Sequence, residues 1–243
     1  MNLQCRDLAI SIVIPVYNES ARIGTFLKDI IAYLQDKSFS YQIIIADDGS
    51  TDATVEIIDG MLSKALPDRY RIVSLPQNRG KGGALQVGMQ EADYEYVLFL
   101  DADGSTSITE LDNFMPCFSK DYDVYISVRT KKHDAPFKRK FFGYGYIFLA
   151  NFILGLNISD FTCGFKCYRK EAARKIFSLQ TLDNWSYDTE DLFIANKFGY
   201  RIKEIPVYWK HVGGSKVKVL HNVIVCGIDL FRIKINDIKN KYI

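Results

Sequence analysis

Residues Tyr96–Gly104 read YVLFLDADG, an apolar run that stops at two carboxylates one residue apart. An apolar run of this length, bounded by acids and a glycine, is typical of a buried strand. Asp101 and Asp103 would then lie at the end of that strand, and carboxylate oxygens are the ligands that Mg²⁺ and other hard divalent cations prefer. The alternative is a solvated Asp-x-Asp-Gly turn, in which the acids only stabilise the backbone.

The chain around this stretch alternates between strand-like and helix-like patterns. Short apolar runs predict strands at 10–16, 42–46, 71–75, 94–100 and 123–128. Apolar residues at helical spacing predict helices at 23–34, 52–65, 84–91 and 109–118. Such alternation predicts an α/β fold with a mostly parallel sheet, helices on both faces, and ligands at the carboxyl ends of the strands.

Composition and charge exclude several classes of protein. With 243 residues, 48% of them hydrophobic, the chain can bury a large core, and a disordered chain is excluded. The net charge of +2 gives no uniform positive field, so we expect no nucleic-acid partner. Five scattered cysteines and three histidines indicate neither a disulfide framework nor a zinc site, and they favour a cytoplasmic setting. The first apolar run breaks at Pro15, which fits a strand better than a signal peptide.

Polar clusters follow four of the predicted strands, so they should meet at one edge of the sheet. They read YNE at 17–19, DDGS at 47–50, NRGKGG at 78–83 and DAD at 101–103. Aromatic rings can stack on a base, carboxylates can accept hydrogen bonds from a base or ribose, and a glycine-rich turn can bring backbone amides to phosphates. The glycines lack the spacing of a phosphate-binding P-loop and also fit a flexible turn. Together the clusters favour a site for a nucleoside diphosphate.

The same motifs resemble a known family. IVIPVYNE at 12–19, DDGSTD at 47–52, NRGKGG at 78–83 and DADG at 101–104 resemble the family 2 inverting glycosyltransferases in order and spacing. Further along, CGFK at 163–166, WSYDTE at 185–190 and GGSK at 213–216 resemble the dolichyl-phosphate glucose synthase branch. The resemblance spans about residues 10–235. It implies a Rossmann-like fold of the GT-A type, as one domain over 1–243, with a nucleotide-sugar half at about 1–130 and an acceptor half at about 131–243.

Two details bear on the sugar that this resemblance implies. The related mannose synthases, which use GDP-mannose, typically continue the metal motif with leucine, whereas this chain has Gly104-Ser105-Thr106, as the glucose enzymes do. The glucose enzymes commonly carry glutamine where this chain has Thr162. UDP is therefore predicted more firmly than glucose.

The resemblance implies transfer of glucose from UDP-glucose to a polyprenyl (dolichyl) monophosphate. Asp101 and Asp103 would hold Mg²⁺ or Mn²⁺ against the diphosphate as a Lewis acid. The implied nucleotide-binding residues are Pro15, Tyr17, Glu19, Ala46, Asp48, Arg79, Lys81, Asp101 and Ala102.

The acceptor phosphate needs cations more than it needs a base. Its second pKa is about 6, so it is largely ionised near neutral pH. Arg129 follows a predicted strand and is the first candidate to bind it, with Arg139 and Lys216 as the others. Asp188, Glu190 and Asp191 resemble the acidic motif near the acceptor, and the predicted catalytic set is Asp101, Asp103, Arg129, Asp188 and Glu190. The alternative for Asp188, Glu190 and Asp191 is an acidic helix start.

Two segments could touch a membrane. Residues 141–159 carry no charge and follow Lys138-Arg139-Lys140. A span would put the motif at 163–166 across the bilayer from Asp101, so an interfacial helix is predicted, with a buried helix or a dimer interface as the alternatives. Near the C-terminus, apolar residues share one helical face, and this helix either packs on the sheet or grips the lipid tail. That face holds Leu220, Ile224, Ile228, Phe231 and Ile235, roughly opposite Asp229, Arg232 and Asn236.

We therefore expect a peripheral protein on the cytosolic face of a membrane, the endoplasmic reticulum in a eukaryote, and a homodimer stays open. Two other functions remain as alternatives. One is the same fold with another donor or a soluble acceptor, and the other is a non-catalytic module that binds a nucleotide sugar or a lipid phosphate.

Overall fold

A computed structural model describes residues 8–130, 137–210 and 219–243, without the side chains of 137–142 and 219–224. In this part of the chain seven strands form one sheet in the order β3-β2-β1-β4-β6-β5-β7. Their bounds are β1 Ala9–Val16, β2 Ser40–Asp47, β3 Tyr70–Ser74, β4 Tyr96–Leu100, β5 Val124–Arg129, β6 Phe165–Arg169 and β7 Ile202–Val207. The helices are α1 Ile23–Gln35, α2 Thr54–Ala65, α3 Lys81–Gln90, α4 Leu111–Phe114, α5 Phe137–Leu154, α6 Lys170–Leu179, α7 Tyr187–Lys197 and α8 Val219–Ile238.

The sheet is mostly parallel, as the alternating pattern predicts. β3, β2, β1 and β4 pair in parallel, and so do β5 and β7. β6 runs antiparallel between β4 and β5, with Leu100 opposite Phe165. The carboxyl ends of β1, β2, β4 and β5 and the amino end of β6 therefore meet at one edge. The strand order also reverses beside β1, which is where ligands bind in folds of this kind.

Alternate residues of the strands build a core on each face. Ile12 and Ile14 of β1 pack with α1, α2 and α4. Val13 of β1 and Ile44 of β2 pack with α3, α5, α6, α7 and α8. Because neighbouring residues of a strand point to opposite faces, strands that are covered on both faces are apolar throughout.

Two predicted helices differ from the structure. α3 begins at Lys81, three residues before the predicted start, so the glycine-rich stretch forms its first turn. The helix predicted at 109–118 is three short pieces, α4 and the 3₁₀ turns Ile108–Glu110 and Met115–Cys117. Pro116 explains the second break, because proline has no backbone N–H and clashes with the preceding turn.

Helices α5 and α8 pack against each other and keep apolar side chains in solvent. On α5, Ala150 and Leu154 are buried, whereas Phe148 and Phe152 are 69% and 77% exposed. On α8, Leu230 and Ile233 are buried, and apolar residues on the outer side are exposed. Among the described helices, none has the length and hydropathy of a membrane span.

Candidate active site

The strand ends line one cleft of about 650 Å³. Most of the predicted site residues lie on its wall: Pro15, Tyr17, Glu19, Asp48, Arg79, Lys81, Asp101, Ala102, Asp103, Arg129 and Asp188. They come from separate parts of the sequence, and the parallel strands bring them together.

The acid pair after β4 lies beside a lysine. The Lys81 ammonium forms an ion pair with Asp101 Oδ1. Burial raises the pKa of the Asp101 carboxyl against the attraction of Lys81, and the charge of Asp103 raises it further. Burial alone would lower the pKa of Lys81, but Asp101 and Asp188 outweigh burial and raise it. Asp103 is half-buried, and its Oδ1 accepts a hydrogen bond of 2.8 Å from the Ser105 N–H. The carboxylates of Asp101, Asp103 and Asp188 thus all act on the Lys81 ammonium group.

Gly164 of the CGFK motif makes room for Asp101. The Asp101 N–H donates to the Gly164 carbonyl at 3.0 Å. A Cβ at position 164 would lie 1.9 Å from Asp101 Oδ2. The glycine is therefore required by the close approach of the carboxylate.

Asp48 organises the glycine-rich stretch. Its carboxylate accepts hydrogen bonds of 2.8 Å from Asn78 Nδ2, the Arg79 N–H and the Gly80 N–H. Gly80 has a φ of +103°, and a Cβ there would lie 2.6 Å from the Asp183 carbonyl oxygen. These contacts argue against the flexible-turn reading, because the stretch is fixed on both sides. Burial raises the pKa of Asp48, and the backbone hydrogen bonds from Arg79 and Gly80 partly offset this.

Arg79 and Arg129 both line the cleft, and each is held by an acid. Arg79 Nη2 lies 3.1 Å from Asp183 Oδ1 and 3.0 Å from Gln86 Oε1. Arg129 donates to both oxygens of Asp160, at 2.7 Å and 2.8 Å.

Thr162 and Trp209 complete the setting of Arg129. Arg129 Nη2 donates to Thr162 Oγ1 at 2.9 Å, and the guanidinium carbon lies 5.7 Å from the Trp209 ring centroid. Burial opposes the charge of Arg129, but the Asp160 carboxylate outweighs it and raises the pKa of the guanidinium. Thr162, the position that departs from the family pattern, thus contributes to the orientation of this arginine.

Asp188 reaches the cleft from the start of α7 and has a buried partner. The Lys166 ammonium, on β6 and fully buried, pairs with Asp188 Oδ1 and donates to the Phe161 carbonyl at 2.6 Å. A buried charge is tolerated only with such partners.

Two predicted site residues lie away from the cleft. Glu190 is fully buried, and its carboxylate accepts hydrogen bonds from the Thr181 N–H, the Leu182 N–H and the Tyr242 hydroxyl at 2.6–2.9 Å. These contacts are those of a structural residue, and the catalytic role of Glu190 stays a prediction. Ala46 is buried under α3, within contact distance of Gly88, and its place among the nucleotide-binding residues also stays a prediction.

Two predicted phosphate ligands are not tested by the described residues. Arg139 belongs to α5, but its side chain is among those not described. Lys216 lies outside the described residues altogether. Their roles stay predictions.

The sequence analysis assigned no role in the site to several residues, although Lys166 and Trp185 belong to the quoted CGFK and WSYDTE motifs. Lys166 could have been found because it interrupts an apolar strand pattern, which predicts a buried charge in need of an acid. Asp160 could have been found as the acid that Arg129 requires. Trp185 and Trp209, which line the cleft, had no periodic signal.

The acid pair fits a divalent cation shared with a ligand. Among residues 8–130, 137–210 and 219–243, no group of three side chains is arranged to hold a metal. Mg²⁺ usually takes one or two carboxylates together with substrate phosphates and water. Asp101 and Asp103 supply that number of hard oxygen ligands, and the ammonium beside Asp101 marks where positive charge is accommodated.

A GT-A type sheet with paired acids at its edge defines a class of sugar-transferring enzymes, and comparison with known proteins agrees. The model of the family "Glycosyl transferase family 2" matches residues 11–177. The chain belongs to glycosyl transferase family 2, which confirms the predicted family and fold class.

Among individual proteins, the chain is similar to dolichyl-phosphate beta-glucosyltransferases. It is 34% identical over 244 residues to that of Dictyostelium discoideum, covering 94% of this chain and 74% of the relative. It is 32% identical over 242 residues to that of Homo sapiens, covering 93% and 75%.

Solved structures share the fold at lower identity. Glucosyl-3-phosphoglycerate synthase from Mycobacterium tuberculosis, in complex with Mn²⁺, UDP and glucosyl-3-phosphoglycerate, has a TM-score of 0.64 and 20% identity, covering 92% of this chain and 78% of that chain. Mannosyl-3-phosphoglycerate synthase from Rubrobacter xylanophilus has a TM-score of 0.65 and 14% identity, covering 96% and 75%.

Proposed function

We propose that this protein transfers glucose from UDP-glucose to a dolichyl or other polyprenyl monophosphate with inversion at the sugar. The relatives that match over more than nine-tenths of the chain carry the name of this reaction. The observation that carries the proposal is the cleft itself, which is lined both by the paired acids after β4 and by a fixed arginine at the end of β5. That arrangement suits a reaction between two phosphate-bearing substrates.

The donor occupies the half built from residues 1–130 in this proposal. The ring of Tyr17 is 39% exposed at the mouth of the cleft and is suited to cover a base. Asp48 acts through the backbone of 78–80, so its contribution to nucleotide binding is the shape of that loop. Lys81 begins α3 and lines the cleft, where its ammonium group suits a diphosphate.

Asp101 and Asp103 would hold Mg²⁺ or Mn²⁺ against the diphosphate of the donor. The metal would supply Lewis acidity that stabilises the charge on the leaving diphosphate. Lys81 contributes positive charge from the protein at the same place.

The acceptor phosphate lies on the other side of the cleft, in the half built from residues 131–243 together with Arg129. Because Asp160 and Thr162 fix the plane of the guanidinium, Arg129 presents its remaining face to the cleft at low entropic cost. Arg139 and Lys216 would add charge around the same phosphate. Arg129→Lys keeps the charge and loses the planar fork, so the KM for the acceptor should rise about tenfold while UDP affinity is kept.

The exposed apolar side chains of α5 and α8 support binding to a membrane surface, with the protein peripheral on the cytosolic face of the endoplasmic reticulum. Stacked aromatic rings such as Phe148 and Phe152, 6.4 Å apart, suit the boundary between headgroups and acyl chains. Replacing both with serine should reduce co-sedimentation with anionic liposomes and raise the KM for long-chain lipid phosphate alone. Phe198→Ser, on a partly exposed ring beyond α7, is the matched control. A homodimer through the same face is the competing outcome, and sedimentation equilibrium detects it.

Transfer by the purified protein with Mn²⁺ tests the proposal. UDP-glucose and GDP-mannose are each offered with dolichyl phosphate, a short isoprenyl phosphate and 3-phosphoglycerate, and the anomeric configuration of the product is read by NMR. We expect a β-glucosyl lipid phosphate from UDP-glucose. Transfer only from GDP-mannose, or only to the soluble acid, would replace the proposed donor or acceptor, and no turnover with any pair would favour a binding module.

A further inference from the structure

Helix α8 buries polar residues while its outer face is apolar. Ile228, Phe231, Ile235 and Ile238 are exposed, Phe231 by 60%, whereas Asp229 and Asn236 are each only 4% exposed. An ordinary surface helix turns its polar residues to solvent. The buried polar residues of α8 therefore need partners inside the protein, and these partners lie in the wall of the cleft.

Asp229 holds the segment 184–186, which precedes α7. Its Oδ2 accepts hydrogen bonds from Asn184 Nδ2 at 2.8 Å and from Ser186 Oγ at 2.7 Å. Asn184 Oδ1 in turn accepts from the Ser186 N–H at 2.9 Å. Asp229 and Ser186 are buried and Asn184 is half-buried, and the three residues are joined by these hydrogen bonds, so a displacement of α8 at Asp229 displaces this segment.

The segment that Asp229 holds is part of the donor side of the cleft. Asn184 and Trp185 line the cleft, and the Trp185 ring lies 5.9 Å from Lys81 Nζ. The carbonyl of Asp183, just before them, accepts a hydrogen bond of 3.0 Å from the Gly82 N–H in the first turn of α3. Lys81 thus lies between Asp101 and the segment 183–186, which is hydrogen-bonded to α8 through Asp229.

A second contact from α8 supports the same wall. Asn236 Nδ2 donates to Thr181 Oγ1 at 2.9 Å. The tail that follows adds Tyr242, whose hydroxyl donates to Glu190 at 2.6 Å. Both ends of the segment 181–190 are therefore attached to α8 or its tail.

The outer face of α8 suits a lipid surface with anionic headgroups. The exposed apolar residues lie within eleven residues, 228–238, or about 15 Å of helix. The cations Arg232, Lys239 and Lys241 accompany them and are exposed. Charge next to an apolar stripe is typical of helices that lie in the headgroup region. A second copy of this chain would instead bring these cations together, which is unfavourable.

We propose that Asp229 is a positioning residue that couples docking of α8 on an anionic lipid surface to binding of the nucleotide in the cleft. The proposal rests on the proposed function, because it needs a lipid-borne acceptor. Docking restricts the motion of α8, and through Asp229 it restricts the segment 184–186 beside Lys81. Less conformational entropy is then lost when the nucleotide binds. Coupling between two sites is reciprocal, so bound nucleotide also strengthens docking by the same factor.

Calorimetry of UDP with Mn²⁺, with and without vesicles of phosphatidylcholine and phosphatidylserine, tests the coupling. We expect the vesicles to tighten UDP binding by about fivefold or more in the unaltered protein. In Asp229→Ala the two UDP affinities should become equal while the protein still sediments with vesicles. Asp229→Asn retains an oxygen that can accept both hydrogen bonds, so it should keep the vesicle effect.

Asp237→Asn is the matched control, because Asp237 lies on the same helix but pairs with Lys197 at the far end of α7. It should keep the full vesicle effect. An equal vesicle effect in Asp229→Ala and the unaltered protein would overturn the proposal, and so would vesicle binding without any effect on UDP. If Asp229→Ala does not fold, the two asparagine variants carry the test. Loss of the vesicle effect in both folded variants, Asp229→Asn and Asp237→Asn, would overturn the proposal too.

Failure of the proposed function gives a different result. A protein that shows the coupling with UDP but transfers no glucose to any lipid phosphate retains the inference and loses the reaction. A protein that transfers glucose to a short isoprenyl phosphate but pairs through α8 into dimers, without binding vesicles, retains the reaction and loses the inference.

Discussion

The acids at the strand ends and the acids at the start of α7 reach the cleft differently. Asp48, Asp101 and Asp103 follow strands and all line it. Of the α7 acids, Asp188 lines the cleft, Glu190 binds the backbone of 181–182, and both oxygens of the buried Asp191 lack a hydrogen bond within the described residues.

Geometry explains this difference. Strands of one sheet end at a common edge, so residues just after them gather there whatever their order in the sequence. Successive helix residues rotate by about 100°, so three acids within four positions point in different directions. A cluster of acids in sequence therefore indicates a site after a strand more reliably than at a helix start.

The largest expected effect is on a strand-end acid. Asp103→Asn should abolish Mn²⁺-dependent UDP binding and lower the transfer rate by about 100-fold or more, because a charged ligand for the diphosphate-bound cation is lost. Calorimetry of UDP with and without Mn²⁺ measures this. Asp29→Asn, an exposed acid on α1, is the control and should change neither quantity. Unchanged UDP affinity in Asp103→Asn would remove Asp103 from the site.

The second prediction separates structure from function at Asp188. Asp188→Asn leaves the Lys166 ammonium buried without its acid, so the free energy of unfolding should fall by about 3–5 kcal/mol. Adding Lys166→Met removes the unpaired charge and should recover most of that loss, as urea unfolding would show. Glucose transfer should stay low in the double variant. Recovery of transfer together with stability would mean that Asp188 serves the fold alone.

Glu190 should show the reverse pattern. Glu190→Gln loses charge-assisted hydrogen bonds to 181–182 and Tyr242, which should lower the free energy of unfolding by about 2 kcal/mol. UDP affinity at a temperature where the variant is folded should stay within twofold, about the error of such a measurement. Glu171→Gln, an exposed acid on α6, is the stability control. A large loss of UDP affinity with intact stability would instead support the predicted catalytic role of Glu190.

The last prediction concerns Asp191 and depends on pH. Burial, with repulsion from Glu190 and Asp188, raises the pKa of Asp191 well above its usual range. A folded-state pKa above the unfolded value means that folding favours the protonated acid. The stability that protonated Asp191 adds to the folded state is therefore lost progressively as the pH rises above about 4. Asp191→Asn cannot ionise. Its stability relative to the unaltered protein should therefore increase between pH 5 and pH 8 in urea unfolding, and a constant difference would contradict a protonated Asp191.

The sequence predicted the first half of the chain better than the second. Strand ends at Val16, Asp47 and Leu100 follow from short apolar runs, and these fix where the acids gather. Lys166 and Asp188 are 22 residues apart in sequence, and only the packing of α7 on β6 makes them a pair. Local patterns do not contain that information.

The glycine-rich stretch shows a second limit of sequence. The sequence allowed Gly80 and Gly82 to be ordinary turn residues, whereas in the structure another chain segment comes within 3 Å of a would-be Cβ at both, as Asp101 does at Gly164. A glycine required for close packing has the same local appearance as one required for a turn. The two kinds of glycine differ only in the chain segment that packs against them, and that segment comes from a distant part of the sequence.

The antiparallel strand β6 also affects how the chain folds during synthesis. β5 leaves the ribosome before β6, yet β6 lies between β5 and β4 in the finished sheet. Until residues 165–169 are made, β4 has an open edge and β5 has no neighbour on that side. Arg129, at the end of β5, therefore takes its place opposite the acid pair only after the later strand has been inserted. The nucleotide half can assemble early, but the complete cleft forms late, and the waiting strand edge is the part of the nascent chain most exposed to aggregation.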